Sequence, residues 1–181
     1  MSRRRSRLGG VAVLIGLTVA VGQAAELVNL TTLMRDGQVL VSFELAGAFT
    51  EDVRSTIESG LQMTFQYDVQ LKREAAFWPD STIASATLAT TVRFDNLTEQ
   101  YNVVRTLDGR VEDTMVVDDE GEVRAMLTRF DRIALFSTAA LEPNGAYQVR
   151  VNLGMRPRNA WFVWPWARSA ASGAAHFTFL P

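Results

Sequence analysis

Apolar and polar residues alternate without a break from Leu61 to Lys72. Leu61, Met63, Phe65, Tyr67, Val69 and Leu71 stand against Gln62, Thr64, Gln66, Asp68, Gln70 and Lys72. Period two predicts a strand with one buried and one solvated face. At about 3.3 Å per residue it would reach roughly 40 Å, so a bend or bulge is expected. Upstream, Leu27 to Met34 reads as a first strand. Arg35-Asp36-Gly37-Gln38 is a turn, and Val39, Val41, Phe43 and Leu45 lie on the returning strand. Asp-Gly supplies the positive φ angles of a tight hairpin. Between hairpin and long strand, Thr50 is an N-cap for a short helix over 51–58. Glu51 and Asp52 lie in its first turn, Val53 and Ile57 face inward, and Gly60 is the expected C-cap.

Phe77-Trp78-Pro79-Asp80 interrupts the alternation, which resumes at Ala84, Ala86, Leu88, Val92 and Phe94. Asp95-Asn96-Leu97-Thr98 turns the chain, Tyr101, Val103 and Arg105 return, and Leu107-Asp108-Gly109-Arg110 leads into Val111, Met115 and Val117. Short connections between successive strands predict an antiparallel meander. The period then changes to 3.6. Val123, Met126, Leu127, Phe130, Ile133 and Ala134 predict an amphipathic helix of about four turns over 119–134, with Asp119 and Glu122 at capping-box spacing. Ala175 to Leu180 reads as a closing strand carrying Phe177 and Phe179 on one side, after a small-residue loop over 168–173.

The first residues concern the compartment. Arg3, Arg4, Arg5 and Arg7 precede an apolar run from Leu8 to Val21, and Gly22-Gln23-Ala24 is small-x-small. This is signal-peptide grammar, with cleavage expected after Ala24. An uncleaved anchor is the other reading, although the run is shorter than the ~20 residues of a spanning helix. The expected organisation is a signal peptide over 1–24 and one β-rich domain over 25–181. Net charge is −2 for the 181 residues. Without the four leading arginines, 14 basic residues face 20 acids, about −6. An acidic chain argues against nucleic-acid binding. Export without cysteine suits the periplasm or envelope of a Gram-negative bacterium. It also excludes disulfides, thiolate metal sites and a Cys nucleophile.

Candidate chemistry is sparse. The single histidine, His176, lies on the closing strand opposite Phe177 and Phe179, and no Gly-x-Ser-x-Gly elbow accompanies it. Asp118 to Glu122 reads either as a Ca²⁺ loop or as a turn with a helix N-terminus; its spacing is not that of an EF-hand. Glu44 and Asp68 are strand carboxylates that nothing marks as a glycosidase pair. No cofactor or metal site is assigned. Trp161, Phe162, Trp164 and Trp166, around Pro165, form an aromatic loop beside Arg156, Arg158 and Arg168. It either covers an open end of the fold or serves as a loop binding a partner or a membrane interface.

Leu141-x-Pro143-x-Gly145-x-Tyr147-x-Val149-x-Val151 resembles the corner of fibronectin type III and related immunoglobulin-like sandwiches. There a tyrosine hydroxyl, here that of Tyr147, bonds backbone a few residues upstream. A wider set includes the signal segment, Phe49-Thr50, Gly60 before the long strand, Phe94 to Tyr101, and Leu141-Glu142-Pro143 to Val151. Together these resemble a bacterial exported family known as a domain of unknown function. The resemblance implies an uncharacterised envelope protein without assigned activity, whose gene in some proteobacteria lies near a nitrogen-type sensor kinase. A membrane sensor kinase is thereby a candidate partner.

The fold expected is mainly β (α+β): an antiparallel immunoglobulin-like β-sandwich with two helices. The alternative is a single curved antiparallel sheet packed on the 119–134 helix. The function expected is a non-catalytic protein-binding module of the envelope, with a periplasmic carrier of an apolar ligand or lipid as the alternative.

Overall fold

A computed structural model describes residues 25–75, 79–157 and 171–180. Nine strands and two α-helices follow in the order β1 (Glu26–Arg35), β2 (Gln38–Ala46), α1 (Glu51–Glu58), β3 (Met63–Arg73), β4 (Ser81–Asp95), β5 (Gln100–Leu107), β6 (Arg110–Val117), α2 (Glu120–Thr128), β7 (Arg129–Ser137), β8 (Ala146–Pro157) and β9 (Ser172–Thr178). The signal segment 1–24, Phe77 and Trp78, and the whole aromatic loop of Trp161, Phe162, Trp164 and Trp166 lie outside the described residues.

The strands form two antiparallel sheets. One has the order β1-β2-β7, the other β6-β5-β4-β3-β8-β9. The chain is thus mainly β and sandwich-like, and the single curved sheet is excluded. β3, the strand of strictest alternation, is central: Tyr67 faces Leu88 on β4 and Leu153 on β8. Met63, Phe65, Tyr67, Val69 and Leu71 are buried, as alternation requires. Thr64, Gln66, Asp68, Gln70 and Lys72 occupy the outer face. The expected irregularity is a register shift against β4 between Leu71 and Lys72.

The sheets meet through aromatic packing. Phe43 from β2, Tyr67 from β3 and Phe130 from β7 pack ring to ring with centroids 4.7 to 5.2 Å apart. One pair is stacked, one tilted and one edge-on, and such ring contacts add to simple area burial. At one side β1 lies over β9, where Gly173 faces Leu27 and Leu30. The tight hairpins form where Asp-Gly was read: Asp36 and Gly37 take φ of 51° and 73°, Asp108 and Gly109 of 49° and 80°. Two positive φ values at a two-residue turn match the right-handed strand twist.

Thr50 caps α1, accepting from the Val53 N–H at 3.3 Å. Its C-cap is Ser59, one residue before the expected Gly60, which follows with φ 81°. The larger correction concerns the 119–134 helix. Asp119 does cap α2, but the helix ends at Thr128, and Phe130, Ile133 and Ala134 belong to β7. That strand hydrogen-bonds the open side of β2, which would otherwise present unpaired backbone groups. The closing strand also begins earlier than expected, at Ser172, taking Gly173 out of the small-residue loop.

Candidate functional site

β6 is the terminal strand of the larger sheet, hydrogen-bonded only to β5 among the described residues. Six of its eight residues are exposed, while Met115 and Val117 are half-buried and Val117 packs against the core. Its outer face is therefore open. Val111 and Val116 are 63% and 54% exposed. They lie across from Thr106 and Asn102, on the outer face that also carries half-buried Val104. A register shift between Arg105 and Thr106 places Glu112 at a bulge. Glu112, Asp113 and Asp118 line this edge, and none forms an ion pair among the described residues. The arrangement offers a row of backbone donors and acceptors, two β-branched side chains and negative charge. It can bind an extended chain by strand addition.

The inner side of the same region is braced by α2. Its last turn has neither a glycine cap nor a basic residue. Two side chains from the larger sheet and one from the helix itself serve carbonyls of its C-terminal half instead. The Tyr67 hydroxyl donates to Leu127 O at 2.5 Å, Arg105 Nη2 donates to Met126 O at 3.1 Å, and Thr128 Oγ1 donates to Arg124 O at 2.7 Å. The Arg105 guanidinium also lies 5.1 Å from the centroid of Phe130. Burial pushes the Tyr67 hydroxyl well above the usual phenol range, opposed by the nearby Arg105 charge. At the other end, Asp119 accepts from the Glu122 N–H at 2.7 Å, while Glu120 pairs with Arg54 at 2.9 Å and Arg124 at 3.6 Å. Among the described residues there is no group of three or more potential metal-ligating side chains. Asp119 serves the helix N-terminus, and Glu120 provides the link to α1.

The structure distributes the other candidates widely. His176 is exposed; its Nδ1 meets the Glu74 carboxylate and its Nε2 lies 3.1 Å from the Gln148 amide nitrogen. Glu44 pairs with Arg129 on the smaller sheet. Asp68, on the outer face of the larger one, accepts from Gln66 at 3.1 Å and Thr87 at 3.3 Å. These two carboxylates share no site. Tyr147 is buried against Phe177, and its hydroxyl accepts from the Glu142 N–H at 2.7 Å. Glu142 in turn receives two bonds from Arg73, at 2.5 and 2.6 Å, joining this corner to the end of β3.

Sequence reasoning passed over Val111, Val116, Thr90 and Arg105 as functional residues. A signal existed for the last two: each falls in phase with the buried positions of its strand, where a polar residue is unexpected. Nothing in the local pattern showed that β6 is an open edge, which depends on sheet order. Among the described residues no helix is long and apolar enough to cross a membrane. No curated protein and no solved structure matches the chain. The model of the family described as Domain of unknown function (DUF4390) matches residues 22–159, most of the chain, and the protein belongs to that family.

Proposed function

We propose that this protein is a non-catalytic binding module that takes up an extended segment of another envelope protein along β6. The observation that carries the reading is the open edge itself: paired on one side, open on its outer face, and provided with Val111 and Val116. Main-chain hydrogen bonds give such an edge its affinity, and alternate side chains give it selectivity. Charge decides between occupants. A second copy would bring its own Glu112 and Asp113 against these, and like charges across a strand pair are destabilising. A partner segment alternating apolar residues with Lys or Arg fits the edge.

Export supports the envelope as the setting. It rests on the arginine-led apolar run and the small-x-small residues before Ala25. The sandwich is read as immunoglobulin-like on the strength of the Tyr147 hydroxyl and its partner five residues upstream. A membrane sensor kinase is the first partner to try. The apolar-ligand carrier is the second reading. It would draw on the aromatic and aliphatic interior shared by the two sheets.

The experiment uses the protein with two synthetic ten-residue peptides, alternating Val-Lys and alternating Val-Glu. The basic peptide is expected to bind, to weaken as salt rises, and to shift the backbone amide resonances of β6. V111R/V116R should abolish binding while retaining the fold by circular dichroism. Equal binding of both peptides, or full binding by a folded V111R/V116R protein, overturns the reading.

A further inference from the structure

Thr90 on β4 and Arg105 on β5 face each other in register. Thr90 is fully buried, between Leu88 and Val92 on the core side of β4. Arg105 turns inward too, since its Nη2 reaches Met126 O and its guanidinium lies by the Phe130 ring. Two atoms of this facing pair, Thr90 Oγ1 and Arg105 Nε, are sealed from solvent without a hydrogen-bond partner. They are the buried side-chain nitrogen and oxygen atoms so placed among the described residues. Buried polar atoms are nearly always satisfied, so two orphans on one cross-strand pair call for a common explanation.

We propose that Thr90 Oγ1 and Arg105 Nε share one enclosed water molecule, a hydration site beneath the C-terminal end of α2. The chemistry matches on both sides. The guanidinium N–H donates to the water oxygen, and a water O–H donates to the threonine hydroxyl. Internal waters bridge buried groups in this way, with two to four polar partners. A small anion is the less suitable occupant. It would have two donors, Nε–H and the threonine O–H, to replace its hydration shell. Two further donors at this helix end are committed: the Tyr67 hydroxyl to Leu127 O and Arg105 Nη2 to Met126 O. The water belongs to the same bracing group of side chains. It fixes the orientation from which Arg105 holds the helix end.

A high-resolution crystal structure of the protein, grown with bromide, tests this. A water within hydrogen-bond distance of both atoms is the expected result. A direct Nε–Oγ1 hydrogen bond, an anomalous bromide peak at the site, or a dry gap between the two atoms overturns it. A double-mutant cycle tests the coupling independently of crystals. In the parent protein Thr90→Val is expected to lower the folding equilibrium constant roughly tenfold, by leaving a charged donor unsatisfied. In the Arg105→Met background the same change should be neutral or stabilising. Stabilisation by Thr90→Val in both backgrounds would mean that the two atoms are independent orphans, and the proposal fails.

Discussion

The Tyr67 hydroxyl is both a buried polar group of the core and the donor for the C-terminal end of a helical ladder. Its ring packs on Phe43 and Phe130, and its oxygen meets Leu127 O. Tyr67→Phe keeps the ring but leaves that carbonyl without its donor. The expected cost is about 1–3 kcal/mol in chemical denaturation. A pH dependence follows from the same group. The folded state holds this phenol above its ordinary range through burial, and holds that of Tyr101 above it through burial and the carboxylates of Glu58 and Glu120. The unfolded chain releases these protons near pH 10. The stabilising effect is therefore complete below about pH 10 and lost as pH rises further, because the unfolded state then binds fewer protons than the folded one. Urea midpoints should hold up to about pH 10 and fall as pH rises beyond it, and Tyr67→Phe should flatten that fall. A parallel fall in both proteins would locate the effect elsewhere.

Turn chemistry is most exposed at the β5–β6 hairpin. An added Cβ at Gly109 would meet nothing within 4 Å, so substitution there tests backbone conformation alone. With φ at 80°, Gly109→Ala should destabilise by about 1–2 kcal/mol and loosen β6 before the rest of the sheet. Hydrogen exchange would show this as faster exchange confined to β5 and β6. The hairpins, the meander, α1 and β3 were all legible in the sequence, because Asp-Gly turns and strict alternation are local signals. The α2–β7 junction was not. Arg132 takes a positive φ of 49°, and the pairing of β2 with β7 slips between Val41 and Phe43. The additional residue puts Phe130 and Ile133 three apart on a strand, and that spacing imitates a helix. The Ser42 hydroxyl accepts from the Arg132 N–H at 2.8 Å and donates to Asp131 at 3.1 Å, so β2 holds the irregularity in place. A contact across 90 positions leaves no trace in a short window of sequence. The candidate edge was hidden for the same reason: Val111 and Val116 look like ordinary strand residues until sheet order makes β6 terminal.

At the scale of the whole molecule, the two sheets close where β1 lies on β9. A Cβ on Gly173 would come within 2.9 Å of Leu27 Cδ2 and 3.4 Å of Leu27 Cβ. Gly173→Val should therefore push β1 away and cost about 1–3 kcal/mol. Leu27→Ala in the same chain should recover part of that loss, giving a non-additive cycle; simple additivity would show that the seam is not the point of strain. At the opposite side, three strands face six, and β6 is paired only to β5 among the described residues, with most of its residues exposed. Cooperativity must consequently grade across the larger sheet. β3 is tied on both sides and packed beneath, so its amides open only with the whole fold, while those of β6 open locally. Such a gradient makes the terminal strand a reporter. Anything that completes its unpaired row would slow exchange first in β6 and then inward through β5, so occupancy could be followed by protection spreading from the rim toward the centre.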